Sequence, residues 1–303
     1  MNATARDRLR RLGESGVRSV SRVLAGLRPN HQPASIVLCL HRVGDFQDPP
    51  TWSLSTSRFA ELLGQLLAAD YRPMRLDQLS ESSRNGFAVT FDDGYASVYE
   101  HAFPILQALK VPATVFLATA HINLPAAFPF DDWSPLTPGL HPASRPLTVN
   151  QCQQLLESGW VDFGSHTHRH LDFRGRPEAL TVDLKQSRTW LRQHLGLTQV
   201  PFAFPYGSTH LGYCDPSLVR VVREQGFTHA CTTDPLPVTA DTDRWQMGRF
   251  LIYPEDTART VRDRLNSWYA PTKRWARLMG SCVGLSAGTR PPHEQDQEGG
   301  HGA

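Results

Sequence analysis

The sequence predicts an α/β fold, a distorted and incomplete (β/α) barrel of about seven parallel strands. Short apolar runs alternate with amphipathic helical patterns along most of the 303 residues, and repeated strand–helix units build a parallel sheet. Seven such units are too many for a small open sheet. Three of the apolar runs also end directly in residues with chemistry, as expected for the carboxyl ends of parallel strands.

Strands are expected at 36–40, 87–91, 113–117, 161–164, 202–204, 228–232 and 249–252. Helical patterns fill the intervals at 57–69, 95–109, 148–158, 178–195, 215–225 and 257–268. Ser57 and Thr148 are placed to cap the free N–H groups of a first turn, and Gly159 follows the last turn of the third helix. The stretch 120–146 breaks the alternation with many prolines and the aromatics Phe128, Phe130 and Trp133. A structureless loop this long is usually functional or disordered, and this one starts at the end of the third strand.

Length and composition agree with one large domain at 31–270, since barrels of about 250 residues commonly form one domain. A net charge of +2 requires no nucleic-acid partner. Cys39, Cys152, Cys214, Cys231 and Cys282 show no paired spacing and read as reduced core or surface thiols, which fits a reducing compartment.

Two motifs carry the chemistry. Thr90-Phe91-Asp92-Asp93-Gly94 sets two adjacent carboxylates at a strand end, where one can bind a metal while the other stays free. Ser165-His166-Thr167-His168-Arg169-His170 follows a second strand, and a carboxylate with two imidazoles leaves open positions on a divalent ion. An Asp-Asp-Gly triplet alone is most often a turn, and a histidine cluster alone is often a solvated loop. Their shared placement, with Phe204-Pro205-Tyr206-Gly207 at a third strand end, makes Asp92, Asp93, His166 and His170 the minimum equipment of a metal-assisted hydrolase. His168, between the two ligand candidates, is expected to point away.

In motif and order these segments resemble the polysaccharide deacetylases that share the chitooligosaccharide-deacetylase (NodB) homology domain, carbohydrate esterase family 4. The resemblance covers roughly residues 35–270 and implies the same barrel. It implies that Asp92 is the general base, that Asp93, His166 and His170 bind the metal, Zn²⁺ or alternatively Co²⁺ or Ni²⁺, and that the Tyr206 backbone N–H, with Pro205 beside it, helps hold the oxyanion. Two departures stand out. Ala203 occupies the position where the third motif usually has an arginine, so whatever orients Asp92 comes from elsewhere. The stretch Arg249-Phe250-Leu251-Ile252-Tyr253-Pro254 lacks the histidine that serves many members as general acid. Both departures resemble the branch of poly-N-acetylglucosamine deacetylases, whose acid comes from an early strand. The candidate is then His41, although a lone histidine at a strand end is more often a hydrogen-bonded core residue.

The expected substrate is an N-acetylated sugar in a bacterial polysaccharide or glycolipid. Trp133 is expected to stack on a sugar ring, and Phe128 and Phe130 to pin the long loop to the barrel. Rival readings are a deformylase or deacetylase of a lipid-linked sugar at the inner membrane face, a metal-free glycoside hydrolase, and an inactive sugar-binding homologue. Residues 1–30 form a basic segment with Arg6, Arg8, Arg10, Arg11, Arg18, Arg22 and Arg28, read either as an amphipathic helix on anionic lipid or as a solvated or core-docked helix. No apolar signal core follows, so a cytoplasmic enzyme, peripheral to the inner membrane, is expected. Residues 271–303 read as a basic, then disordered tail.

Overall fold

The computed structural model describes residues 35–46, 52–79, 85–131 and 142–265. The expectations for residues 1–30, Trp133, Cys282 and the tail at 271–303 lie outside the described residues. Among the described residues, no helix is long and apolar enough to cross a membrane.

The fold is a curled, open half-barrel. In chain order its elements are β1 (Ile36–Leu40), β2 (Arg42–Val43), β3 (Ser53–Leu54), α1 (Thr56–Ala68), β4 (Arg72–Pro73), β5 (Gly86–Phe91), α2 (Phe103–Leu109), β6 (Ala113–Leu117), α3 (Val149–Glu157), β7 (Val161–Ser165), α4 (Pro177–Leu195), β8 (Phe202–Ala203), α5 (Pro216–Glu224), β9 (Ala230–Cys231), β10 (Phe250–Leu251) and α6 (Ala258–Leu265). Seven strands run parallel in the order β10-β1-β5-β6-β7-β8-β9, and β4 pairs with β5 beside that path. The two ends of the sheet curl toward each other, since Cys231 of β9 bridges to Met247, three residues before β10. The strands were expected at these places, with β8, β9 and β10 shorter than their apolar runs. β2, β3 and β4 went unread because two-residue strands carry no periodicity.

Side chains alternate across each strand, and the alternation sorts two cores. Leu38, Leu40, Val89, Phe91, Val115 and Phe163 face the helices and belong to the large outer cluster. Val37, Ala88, Phe116, Ala203 and Cys231 fill the inside of the curl. Gly164 is required there: a Cβ would lie 2.6 Å from the Phe116 ring and 2.8 Å from the Pro201 carbonyl oxygen. Continuing the inner-face rows by two residues, Val37-Cys39-His41 and Ala88-Thr90-Asp92 lead to the mouth of the barrel. The register Cys39↔Thr90 and Leu40↔Phe91 sets His41 level with Asp92.

Most helix ends follow their sequence signals. Thr148 and Gln151 form a reciprocal capping box, and Asp215 accepts the N–H groups of Ser217 and Leu218. For α1 the cap is Ser55, whose hydroxyl accepts the Arg58 N–H, rather than Ser57. The helix expected at 95–109 divides into a π turn at Val98–Ala102 and α2. Pro104 has no N–H to give to the turn before it, and the wider turn absorbs that mismatch. Cys39, Cys152, Cys214 and Cys231 are buried and unpaired with one another.

Candidate active site

Two consecutive residues in left-handed backbone split the acidic pair. Asp93 has φ 71° and Gly94 φ 95°, and the Gly94 N–H closes a tight turn onto the Asp92 carbonyl. A side chain at Gly94 would also strike Leu117 and Ile122 at 2.7 and 2.9 Å. The turn sends Asp92 into the barrel and Asp93 toward the histidines.

Asp92 is held by Arg249, the group that sequence reasoning missed. The guanidinium donates from Nη1 to Asp92 Oδ1 at 2.6 Å and from Nη2 to Oδ2 at 2.8 Å, a two-pronged pairing that fixes the carboxylate plane. Its Nε donates to the Thr232 carbonyl, its Nη1 also reaches Thr90 Oγ1, and it lies over the Phe116 ring. Arg249 is fully buried. It therefore fills, from the start of the β10 stretch, the role left vacant by Ala203. Only the demand was legible, since a base without its arginine needs a cation. The Cys39 thiol, kept protonated by burial, also donates to Asp92 Oδ2 at 3.4 Å. Burial is the largest single influence and would raise the Asp92 pKa, but the Arg249 charge and hydrogen bonds, with the nearby His166 and His41, together outweigh it and hold the carboxyl well below the usual range.

The histidine loop is equally constrained. Thr167 and His170 are left-handed, with φ 69° and 57°, a conformation that costs non-glycine residues of the order of 1–3 kcal/mol each. Buried hydrogen bonds compensate: Thr167 N–H to Ser165 Oγ, and His170 N–H to Thr167 Oγ1. From α4, the fully buried Asp183 accepts the His168 N–H and, at 3.0 Å, the Arg169 Nε–H. The His168 ring turns away to Thr119 and lines a shallow surface groove along α4, as expected.

His166 Nδ1 lies 2.8 Å from the Ala203 carbonyl oxygen. A carbonyl can only accept, so Nδ1 carries the proton and Nε2 turns a lone pair to the site. Asp93 Oδ1 lies 3.6 Å from His166 Nε2 and 3.4 Å from His170 Nε2, and the three residues form a buried group whose ligand atoms fall within 4.8 Å of one another. Burial pushes both imidazoles down toward the neutral, ligating form. Burial and the neighbouring Asp92 push the Asp93 carboxyl well up, and among the described residues Asp93 Oδ1 has no hydrogen-bond partner. Asp92 has its cation in Arg249; Asp93 and two bare imidazole nitrogens fit a divalent ion.

Around this centre, Phe130 stacks on the His170 ring at 3.9 Å, and Phe128 is buried against Tyr95. Both pin the long loop, which Arg42 also holds by pairing with Asp131 and Tyr95 and by donating to the Ala143 carbonyl. Pro205 is buried and Tyr206 half-exposed. Tyr206, with φ 62°, sits in a tight turn closed by the Gly207 N–H on the Pro205 carbonyl, its ring 5.1 Å from that of His170. His41 lies at the same mouth: burial pushes its imidazole down to about 4, partly opposed by the Asp92 charge.

A family model described as polysaccharide deacetylase matches residues 80–230, the span that holds both motifs and the Pro205-Tyr206-Gly207 turn. The chain belongs to the polysaccharide deacetylase family. Within it, the poly-β-1,6-N-acetyl-D-glucosamine N-deacetylase of Staphylococcus epidermidis is 24% identical over 216 residues, covering 66% of this chain and 68% of that protein. Among solved structures, IcaB from Ammonifex degensii superposes with a TM-score of 0.63 at 24% identity, over 78% of this chain and 98% of the other. The deacetylase domain of BpsB from Bordetella bronchiseptica gives 0.56 at 23% identity, over 74% and 98%. These likenesses to solved structures bear out the barrel.

Proposed function

We propose that this protein is a metal-dependent N-deacetylase of amino sugars in a bacterial polysaccharide or glycolipid, with poly-β-1,6-N-acetyl-D-glucosamine as the model substrate. The observation that carries the reading is the division of labour between adjacent carboxylates: Asp92 is neutralised by Arg249, and Asp93 faces two bare imidazole nitrogens. In this reading Asp93, His166 and His170 hold the ion, Zn²⁺ first and Co²⁺ or Ni²⁺ as alternatives. When bound, it supplies Lewis acidity toward water and the acetyl carbonyl oxygen.

The chain's own residues do the rest. Asp92 takes a proton from the attacking water, in a plane fixed by Arg249. The Tyr206 backbone N–H, presented by the turn with Pro205, supports the oxyanion, a contact type worth about 3–4 kcal/mol. His41 gives a proton to the departing amine, which leaves poorly as an anion. Because His41 rests neutral, it gains that proton during turnover, with newly protonated Asp92 as the neighbouring source.

Chelation should abolish acetate release from N-acetylglucosamine oligomers, and added Zn²⁺, Co²⁺ or Ni²⁺ should restore it. Full activity in a metal-free preparation would sink the mechanism. Asp92→Asn should keep the metal and lose most turnover, whereas Asp93→Asn and His166→Ala should lose both. The reverse pattern for the two aspartates would exchange their roles. The basic segment at 1–30 supports peripheral contact of a cytoplasmic enzyme with anionic membrane, tested by flotation with anionic vesicles at low and high salt.

A further inference from the structure

The leaving amine must sit beside its proton donor, so the sugar ring that carries the amine lies on the His41 side of the cleft. That side has an aromatic wall. The parallel pairing Arg42↔Ser53 makes His41 and Trp52, the residues just before the paired ones, lateral neighbours. The pairing Cys39↔Leu251 likewise sets Tyr253 level with His41, each two residues beyond the pair. The rings meet accordingly: His41 to Trp52 at 5.7 Å, and Trp52 to Tyr253 at 5.4 Å.

Trp52 is not explained as core. It belongs to none of the apolar clusters that hold the fold, whereas Trp160, Trp190 and Trp245 all pack against the largest of them. It is only partly buried, and among the described residues its indole N–H has no hydrogen-bond partner. A large flat apolar face beside a proton donor, with an unspent N–H at its edge, matches the chemistry of a pyranose. Such a ring offers axial C–H groups to an aromatic face and hydroxyls to a donor at its rim.

We propose that Trp52, backed by Tyr253, is the platform on which the pyranose ring of the N-acetylated residue stacks, and so the residue that makes the site select a sugar over other acetamides. This rests on the deacetylase reading with His41 as the donor. Stacking on an indole holds the ring before and during reaction alike, so its loss should appear mainly in binding.

The test uses the full metal-loaded chain and N-acetylglucosamine oligomers of two to five units. Trp52→Ala should raise KM about tenfold or more and change kcat less than threefold, at wild-type metal content and thermal stability; Trp52→Phe should recover most of the loss. In an Asp92→Asn background, the same oligomers titrated by calorimetry should bind about tenfold more weakly once Trp52→Ala is added. A fall in kcat with KM unchanged would mean that Trp52 only seats His41, and an unchanged KM and Kd would mean that nothing stacks there. Either outcome overturns the proposal. If wild type binds oligomers through Trp52 but releases no acetate, the platform stands and the deacetylase reading fails. If it neither binds nor cleaves them, both fail.

Discussion

Arg249 and Asp92 lie 157 positions apart, yet their paired hydrogen bonds fix the base more firmly than any neighbour in sequence could. A carboxylate acts as base only while ionised, and Arg249 keeps Asp92 ionised far into acid. In Arg249→Met the buried carboxyl loses its counter-charge, so its pKa should rise and the acidic limb of the pH–rate profile should move to higher pH. The fold should lose about 3–5 kcal/mol, the usual cost of stranding one member of a buried pair. Arg249→Lys should keep the fold better but lose most of kcat, because an ammonium cannot span both carboxylate oxygens. An unmoved acidic limb in a folded Arg249→Met protein would show that Asp92 is not the titrating base. His41 is tested by its leaving group. His41→Ala should lower deacetylation of the amide by about 10²- to 10⁴-fold while sparing an aryl acetate, whose phenolate departs without a proton. Equal losses on both substrates would move His41 from acid to structural support.

At the scale of elements, α4 acts on the metal loop from outside. Asp183 holds the His168 and Arg169 donors from a fully buried position, and Ser187 bonds Ser165 at 2.8 Å, so one helix face clamps the strand end and the turn that present both imidazoles. Groups that orient ligands in this way are typically worth 10- to 100-fold in metal affinity. Asp183→Ala should therefore weaken metal binding by that factor in competition with a chelating dye, with His166 and His170 intact, and wild-type affinity in the variant would refute the clamp. Local devices such as the Thr148 cap and the strand-end acids were legible, because each is written within four or five residues. The clamps were not. Arg249 to Asp92, Arg42 to Asp131 and Asp183 to His168 join separate elements, and no pattern along the chain marks which buried charge meets which. Even the short-range misreading of Ser57 for Ser55 is of this kind, since either hydroxyl could cap and nothing along the chain chooses between them.

At the scale of the whole molecule, a parallel sheet separates chemistry from stability by its two ends. The carboxyl ends carry the site, whereas His229 sits at the amino end of β9, opposite it, buried and, among the described residues, with Nε2 unpartnered. Burial, helped by the nearby Arg244 charge, pushes its imidazole down to about 4. The unfolded chain accepts a proton at His229 below its ordinary value of about 6.5, and the fold refuses it until about 4. Stability from this residue is thus complete above about pH 6.5 and is lost as pH falls through that window, on the order of 3 kcal/mol by pH 4. Denaturant unfolding of wild type and His229→Gln between pH 8 and 4 isolates the contribution. The variant, with an uncharged amide that does not titrate, should lose less stability across the window, and its acetate release at neutral pH should stay close to wild type because the site is at the other end of the sheet. Parallel pH curves for the two proteins would mean that His229 is protonated, or hydrated, in the native fold.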